Sequence, residues 1–302
     1  MSLPPPDLPR LARRARDTSK RDYGRVLVVG GATGMAGAPA LAAMAALRGG
    51  AGLVDLAAPA PAAAIAATFD PCFMAHPLPA AADGTFAADA VDRLAALAER
   101  ADVLAVGPGI GRGDAVGAIV ERLWRGFPGP AVFDADALWW LARGASGGLA
   151  AHAGPRILTP HAGEMRRFLG EAATGPEPAR GLLEAAASRL ADETGTVILL
   201  KGPGTLVTDG RRRARNATGN PGMASGGMGD VLTGLIAALL RQPAASAAGP
   251  ACCLEPFEAA GLGAWVHGRA GDLAAEAIGE ISLTARDVVA FIPAALAVVV
   301  AA

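Results

Sequence analysis

The segment NPGMASGGMGDVLTGLIAALL covers residues 220–240 and is the most informative part of this chain. Five glycines lie between Gly219 and Gly229, and the next residue, Asp230, opens an apolar run that predicts a helix. The N-terminus of a helix carries unpaired backbone N–H groups and a partial positive charge, so it attracts phosphate. Glycines lack side chains and let a phosphate approach the backbone closely.

Asp230 allows two interpretations. Aspartate is a common N-cap, so its role could be to terminate the helix. It could also take a proton from a group that lies beside a bound phosphate. So many glycines in so short a stretch cost more chain entropy than a cap alone would justify. We therefore favour the functional interpretation.

The composition excludes several classes of protein. The chain has 302 residues, of which 52% are hydrophobic and only 4% aromatic, so Ala, Val, Leu and Ile must build most of the core. A net charge of -1 leaves no electrostatic footprint for nucleic acid or for an anionic membrane surface. The one compact basic run, residues 211–213, follows Asp209 and Gly210, and this pattern predicts a solvated hairpin arm.

The cysteines and the chain ends indicate a cytoplasmic protein. Few cysteines without zinc-type spacing are typical of a reducing compartment. Residues 1–23 are rich in Pro and Arg without an apolar centre, which argues against a secretory signal and predicts an arm or linker. Residues 288–302 are apolar but short and contain Pro293, so we expect a buried helix rather than a membrane span. The three cysteines are Cys72, Cys252 and Cys253.

Short β-branched runs alternate with Ala- and Leu-rich helical stretches along the chain. This alternation predicts an α/β fold, a mostly parallel central sheet with helices on both faces, formed by one domain at residues 24–302. The predicted strands are 25–29, 53–57, 102–106, 131–133, 156–158 and 196–200, with a hairpin at 205–207 and 213–216. The predicted helices, besides the one at Asp230, are 37–47, 91–99, 137–142, 162–169, 182–193 and 256–277.

Glycine-rich or polar clusters follow five of the predicted strands. Ligands of such sheets bind beyond the carboxyl ends of the strands, so we expect these clusters to converge on one edge, together with the Asp230 loop. No register of the first cluster gives GxGxxG, which makes a dinucleotide-binding dehydrogenase a weak match. The clusters are residues 30–34, 107–111, 134–136, 159–164 and 201–205.

Several polar residues in these clusters have alternative roles. Lys201 could bind phosphate or be a solvated turn residue. His161, followed closely by Glu164, could cap a helix, bind a ligand or transfer a proton. Asp134 and Asp136 could hold Mg²⁺ through water or cap the next helix, and for at least one of them we favour the structural role.

Seven segments follow one another along the chain in the order GGATGMAGAPALAAMAALRGGAGLV, VGPGIG, DADAL, ILTPHAGEM, LLKGPGTLV, NATGNPGMASGGMGDVLTGLIAALL and WVHGRAGDLAA. With these segments, residues 24–292 resemble the ADP-dependent NAD(P)H-hydrate dehydratases. Seven motifs in order are far more specific than any one of them. The resemblance implies a ribokinase-like fold, in agreement with the alternation of strands and helices.

The resemblance also implies a reaction. In hydrated NADH or NADPH, water has added across the C5–C6 bond of the dihydronicotinamide ring, and ADP is used to restore the double bond. The C6 hydroxyl would be phosphorylated, and phosphate would then leave far more readily than hydroxide. Asp230 matches the family's catalytic aspartate and would deprotonate this hydroxyl.

Other binding residues follow from the resemblance by motif. Asn220 and Asp136 would be neighbours of phosphate or Mg²⁺, whereas no role follows for His267 or Asp272. The amides of Gly227, Met228 and Gly229 would hold the transferring phosphoryl group. The residues expected to contact ADP are Lys201, Gly202, Pro203, Gly204, Thr205 and Gly229, and those expected to contact the hydrated dinucleotide are Ala38, Gly109, His161 and Asp230.

The sequence departs from the family pattern at two places. Trp139 stands where the family usually has Asn after DADAL, which removes a polar contact. The epimerase domain that is often fused at the N-terminus is absent, so we expect repair of the S epimer only, dependence on a separate epimerase, and a homo-oligomer, as relatives are commonly tetramers. Two alternatives remain: an ATP-dependent kinase of hydroxyethylthiazole or hydroxymethylpyrimidine type, and a nucleotide-binding protein without activity.

Overall fold

The computed structural model describes residue 5 and residues 7–144, 148–170, 179–245 and 252–301. Its strands are β1 (Arg25–Val29), β2 (Leu53–Pro59), β3 (Met74–Leu78), β4 (Val103–Val106), β5 (Ala131–Phe133), β6 (Arg156–Leu158), β7 (Val197–Leu200), β8 (Leu206–Thr208) and β9 (Arg213–Arg215). Its α-helices are α1 (Gly37–Arg48), α2 (Ala60–Ala66), α3 (Ala90–Ala98), α4 (Asp114–Gly126), α5 (Asp136–Ala142), α6 (Ala162–Arg167), α7 (Arg180–Thr194), α8 (Met228–Leu239), α9 (Pro256–Ile278) and α10 (Ala285–Ala297).

The strands form one sheet in the order β3-β2-β1-β4-β5-β6-β7-β8-β9. Strands β1 to β7 run parallel to their neighbours, whereas β8 and β9 turn back as an antiparallel hairpin after β7. The predicted mostly parallel sheet is therefore confirmed. Because the parallel strands end at the same edge, the loops that follow them lie side by side.

Helices cover both faces of the sheet, as expected for parallel strands. In β1 the alternation of side chains sends Val26 and Val28 into one apolar cluster and Leu27 and Val29 into the other. Helices α1, α8, α9 and α10 contribute to the first cluster, and α3, α4, α5 and α7 to the second.

Small residues bring α8 close to α1. A Cβ atom on Gly234 of α8 would overlap the carbonyl oxygen of Ala42 in α1. A Cβ atom on Gly49 would lie 2.9 Å from the Cβ of Ala238. This close contact fixes the axis of α8, whose N-terminus carries Asp230.

Three elements do not appear among those predicted from the sequence. Helix α2 is rich in Ala and Pro without a clear period, and the edge strand β3 contains His76 and Pro77, which lower its β-propensity. Helix α4 carries a regular apolar face and could have been predicted, with Val116, Ile119 and Leu123 all buried. The tail helix α10 begins earlier and ends earlier than the predicted 288–302.

The described part of the N-terminal segment lies against the C-terminal part of the chain. Leu11 is buried and forms bridges with Ala244 and Val300. The guanidinium of Arg14 stacks on Tyr23 at 3.7 Å from the ring centroid.

In the part of the chain that the structure describes, no helix has the length and apolar character needed to cross a membrane.

Candidate active site

Two buried charges meet at the carboxyl edge of the sheet. Lys201 follows β7 and Asp134 follows β5, and the Lys201 Nζ lies 2.7 Å from Asp134 Oδ1. The hydroxyl of Thr233, on α8, donates to Asp134 Oδ2 at 2.9 Å. Burial pulls the pKa of Lys201 down, but the carboxylates of Asp134 and Glu164 outweigh burial, and the pKa is raised.

The N-terminus of α8 points its backbone amides at this cluster. Gly227 is the N-cap, with a φ of 89°, and no side chain caps the helix. The first amide that bonds back within the helix is that of Val231, which donates to the Gly227 carbonyl. A Cβ atom on Gly229 would lie 3.2 Å from Lys201 Nζ and 3.3 Å from Asp134 Oδ2. The helix start therefore offers a positive end to an anion beside the ion pair.

Asp230 lies in the first turn of α8 and has a strongly perturbed protonation equilibrium. Burial raises its pKa to about 7, and the charge of Asp134 adds to this effect. The ammonium of Lys201 opposes the rise, and Glu164 contributes to it in the same direction as Asp134. A carboxyl group with a pKa near neutrality is suited to accept and release a proton at physiological pH.

His161 caps α6 through one ring nitrogen, Nδ1, and its other ring nitrogen takes no part in the cap. Its Nδ1 accepts from the Gly163 amide at 3.0 Å and from the Glu164 amide at 3.3 Å. Burial and the charge of Lys201 lower the pKa of His161, so the ring is neutral with its proton on Nε2. Nε2 lies 3.5 Å from Glu164 Oε1 and is free to donate to a ligand as well.

Glu164 completes the cluster of charges. Its Oε2 accepts from the His161 amide at 2.9 Å and lies 3.7 Å from Lys201 Nζ. Burial raises the pKa of Glu164, although Lys201 acts in the opposite direction. One ammonium thus faces three carboxyl groups, those of Asp134, Glu164 and Asp230. Because carboxylates already neutralise Lys201, the backbone amides must supply much of the attraction for a further anion.

A pocket of about 560 Å³ opens beside these groups. It contains all the residues from Lys201 to Thr205, together with Met228 and Gly229. Much of its wall is apolar, including Met223 and Leu232, which suits a planar base next to a polar phosphate end. The remaining lining residues are Asn216, Ala217, Thr218, Gly219, Asn220, Pro221, Ala224, Ala264, His267 and Gly268.

An arginine on α7 holds the Lys201–Thr205 loop from behind. Arg180 donates to the Lys201 carbonyl at 2.9 Å and to the Leu200 carbonyl at 3.0 Å. Its Nε binds Glu184, which also accepts from Arg215 on β9 at 2.9 Å. These contacts fix the loop from two sides, and no sequence motif indicated them.

Two polar side chains of the WVHGRAGDLAA segment contact the pocket region. His267 lines the pocket, burial lowers its pKa to about 4, and its Nε2 has no hydrogen-bond partner among the described residues. Asp272 accepts from the Gly219 amide and from Asn220 Nδ2, each at 3.1 Å. The side chain of Asn220 in turn accepts from the Gly222 amide at 3.0 Å. Asp272 therefore holds the loop that forms one wall of the pocket.

Ala38 and Gly109 meet on the other side of the cluster, outside the lining of the pocket. Gly109 has a φ of 60°, and a Cβ atom there would lie 2.9 Å from the Met35 carbonyl oxygen and 3.2 Å from the Cβ of Ala38. Gly107, in the same loop, approaches the Asp134 carbonyl so closely that a Cβ atom would overlap it. This close packing places the Gly107–Gly109 backbone next to the buried charges.

The described carboxylates near the cluster are bonded to other protein groups. Asp136 accepts from Arg112 Nε at 2.8 Å, and both oxygens of Asp134 are already bonded to Lys201 and Thr233. Among the described residues, no three His, Cys, Asp or Glu side chains converge as metal ligands do. Mg²⁺ that arrives on nucleotide phosphates keeps several waters and does not need such a cage.

Trp139 lies in a cationic environment on α5. The Arg112 guanidinium lies 4.8 Å from the Trp139 ring centroid, and that of Arg143 lies 4.6 Å from it. Trp140 packs edge-on against Trp139 and donates to the Gly111 carbonyl at 3.3 Å. Trp139 thus takes part in a cation–π cluster beside the loop that follows β4.

The chain is similar to known proteins over most of its length. The model of the family described as NAD(P)H-hydrate dehydratase matches residues 26–294. The bifunctional NAD(P)H-hydrate repair enzyme Nnr of Moorella thermoacetica is 44% identical over 285 residues, which cover 94% of this chain and 51% of that protein. The chain spans about half the length of the curated relatives it matches.

Solved structures show the same fold. A ribokinase-like superfamily protein from Enterococcus faecalis V583 superposes with a TM-score of 0.77 at 23% identity, covering 96% of this chain and 93% of that one. The ADP/ATP-dependent NAD(P)H-hydrate dehydratase from Bacillus subtilis, co-crystallized with ATP/Mg²⁺, gives 0.76 at 26% identity, covering 96% and 98%. The predicted ribokinase-like fold is confirmed. With the family model matched over most of its length, the chain belongs to the NAD(P)H-hydrate dehydratase family.

Proposed function

We propose that this protein converts the S epimer of hydrated NADH and NADPH back to NADH and NADPH, with ADP consumed and AMP and phosphate released. One observation carries the proposal. Asp230, with its pKa raised to about 7, lies in the first turn of a helix that no side chain caps, beside a pocket lined by Lys201–Thr205. A base and an anion site are thus adjacent.

The first step is a phosphoryl transfer. The ionised Asp230 takes the proton of the C6 hydroxyl. The hydroxyl oxygen attacks the β-phosphorus of ADP, and AMP leaves with the bridging oxygen. The amides of Gly227, Met228 and Gly229 hold the transferring phosphoryl group. In this proposal ADP binds in the pocket and contacts the residues that line it, Lys201, Gly202, Pro203, Gly204, Thr205 and Gly229.

The second step is an elimination. The C6–O bond breaks and phosphate takes its electron pair, while the electrons of the C5–H bond form the C5–C6 double bond and the C5 proton passes to the departing phosphate. Phosphate is a much weaker base than hydroxide, and this difference makes the loss of the C6 oxygen favourable. In this proposal Ala38 and Gly109 contact the hydrated dinucleotide on the side of Asp134 away from the ADP pocket, and the Nε2–H of His161, which follows β6, contacts it from the other side of Asp134.

The descriptions of two relatives support the choice of NAD(P)H hydrate and an adenine nucleotide as substrates. The Bacillus subtilis protein is described as an ADP/ATP-dependent NAD(P)H-hydrate dehydratase and was crystallised with ATP/Mg²⁺. The Moorella thermoacetica protein is described as a repair enzyme for NAD(P)H hydrate. We propose that Mg²⁺ enters with the nucleotide, bound to phosphates and water, and that ADP is preferred to ATP.

The test is turnover of chemically prepared hydrated NADH, a mixture of epimers, followed by the returning dihydronicotinamide absorbance. Parallel reactions contain ADP with Mg²⁺, ATP with Mg²⁺, or no nucleotide. We expect recovery of only part of the mixture, dependent on nucleotide, faster with ADP, and abolished in Asp230→Asn. No recovery by a folded protein that binds nucleotide would contradict the proposal, and a stable phosphorylated product with ATP would indicate a kinase.

We also propose a cytoplasmic location and a homo-oligomer of four subunits. All three cysteines are free and exposed, which suits a reducing compartment. Ile65 and Phe69 are 53% and 51% exposed on and just after α2, next to the edge strand β3, and would be covered by a contact between copies. Sedimentation equilibrium would test the assembly, and a monomer would contradict it.

A further inference from the structure

We propose that Arg112, Trp139 and Arg143 form a phosphate-binding subsite for the adenosine end of the hydrated dinucleotide. The inference rests on the proposed function, because it assigns a place to the half of that substrate which does not react. These three side chains form the Arg–Trp–Arg cluster.

The cluster concentrates positive charge around one half-buried indole ring. The guanidinium carbons of Arg112 and Arg143 lie 4.8 and 4.6 Å from the Trp139 ring centroid. Arg112 is 49% exposed and pairs with Asp136, whereas Arg143 is exposed and has no ion pair within the described ranges. Only one of the two guanidinium groups is paired with a carboxylate, which leaves an excess positive charge at the surface.

The position of the cluster relative to the reacting groups follows from the topology. Arg112 comes three residues after Gly109, in the loop that follows β4, and Trp139 lies in the helix that follows β5. The Arg112–Asp136 ion pair ties this loop to α5, two residues after Asp134. The ADP pocket lies on the other side of Asp134, on the side of β7 to β9. A ligand that crosses Gly109 away from Asp230 therefore reaches the cluster.

The chemistry of the cluster suits phosphate. Guanidinium groups present paired donors that match phosphate oxygens, and a planar guanidinium stacked on an indole keeps those donors oriented outward. A hydrated dinucleotide offers two phosphate sources beyond its reacting nicotinamide nucleoside. The bridging diphosphate occurs in both hydrated NADH and hydrated NADPH, whereas the ribose 2′-phosphate occurs only in the latter.

The test measures binding rather than turnover, so that it does not depend on catalysis. Isothermal titration with the stable probes NAD⁺ and NADP⁺ is done in the presence of saturating ADP, which fills the nucleotide pocket. The variants are Arg112→Gln, Arg143→Gln and the double variant. Arg189→Gln is the matched control, because Arg189 is an exposed arginine on α7 with a single carboxylate neighbour, Glu193.

We expect each single variant to weaken binding of NADP⁺ about tenfold and the double variant to weaken it further, with no change in Arg189→Gln. Equal losses for NAD⁺ and NADP⁺ would identify the bridging diphosphate as the bound group. A loss confined to NADP⁺ would identify the 2′-phosphate and predict a preference for hydrated NADPH. Unchanged affinity of both probes in the double variant would overturn the subsite. If the variants bind the probes more weakly but the unaltered protein does not turn over the hydrate, the subsite is supported and the proposed reaction is contradicted.

Discussion

At the scale of single residues, the proposed role of Asp230 as a base depends on its protonation. Its pKa is raised to about 7 by burial and by the charge of Asp134, so a substantial fraction is protonated at neutral pH. Only the ionised form can accept the proton of the substrate hydroxyl. We therefore expect kcat/KM to rise with pH up to about 7 and to level off above that.

The pH profile would be measured from about pH 5 to about pH 9 with nucleotide affinity determined at each pH. The affinity data separate titration of Asp230 from titration of the phosphate groups of ADP. A profile that is flat across neutrality, with unchanged affinity, would show that Asp230 is not the base.

The same pKa shift means that ionised Asp230 lowers the free energy of unfolding. A carboxyl group whose pKa is higher in the folded state stabilises the fold while it is protonated, and this contribution is lost as pH rises from about 4 through about 7. Asp230→Asn should therefore raise the free energy of unfolding by about 2 kcal/mol at pH 8. Urea denaturation at about pH 8 and about pH 4 would check this, since the gain should vanish at the lower pH. An equal gain at both pH values would mean that ionisation is not the cause.

Ala135 carries backbone strain between two aspartates of the site. Its φ is 52° and its ψ is -126°, and it is the only non-glycine residue with positive φ in the described part of the chain. Glycine adopts this conformation without a steric penalty. Ala135→Gly should therefore stabilise the protein by about 1 kcal/mol, despite the greater chain entropy of glycine.

The matched control is Ala137→Gly, two residues later inside α5, which should destabilise the protein by about 1 kcal/mol. Thermal unfolding of both variants gives the comparison. If Ala135→Gly is as destabilising as Ala137→Gly, the turn is not strained.

At the scale of elements, α9 supports the pocket that we propose for ADP through one carboxylate. Asp272 accepts hydrogen bonds from Gly219 and Asn220, and this loop lines the pocket. Asp272→Ala should weaken ADP binding about tenfold while the turnover number at saturating ADP changes little, because the loop would lose its anchor. Asp272→Asn, which keeps one acceptor oxygen, should recover part of the affinity.

Glu276→Gln is the control for this experiment. Glu276 lies one turn further along α9, is 65% exposed and pairs with Arg269. Titration calorimetry with ADP would compare the three variants. An affinity in Asp272→Ala equal to that in Glu276→Gln would exclude a positioning role for Asp272.

At the scale of the whole molecule, local sequence patterns predicted the sheet better than the site. Strands β1, β5 and β6 have the predicted bounds, because each is a short apolar run that ends at glycine or polar residues. The clusters after the strands also pointed to the edge where the charges lie. Contacts between distant residues could not be predicted, such as Lys201 with Asp134, 67 positions apart, because spacing says nothing about which side chains meet.

Roles of individual side chains depend on the same distant contacts. The alternatives for His161 could be separated only once its Nδ1 was seen to accept from the helix amides. Thr233 and Arg180 carry no motif, yet they fix Asp134 and the Lys201 loop. Nothing in the sequence indicated that Arg112 and Arg143 would both stack on Trp139.

The central claim is that a phosphoryl group passes from ADP to the substrate and is then expelled. The most direct test is the stoichiometry of NADH, AMP and phosphate in one reaction with hydrated NADH and ADP, measured by absorbance, chromatography and phosphorus NMR. We expect one AMP and one phosphate for each NADH recovered, and no product formation in Asp230→Asn. Recovery of NADH without AMP, or accumulation of a phosphorylated dinucleotide that does not decay, would contradict it.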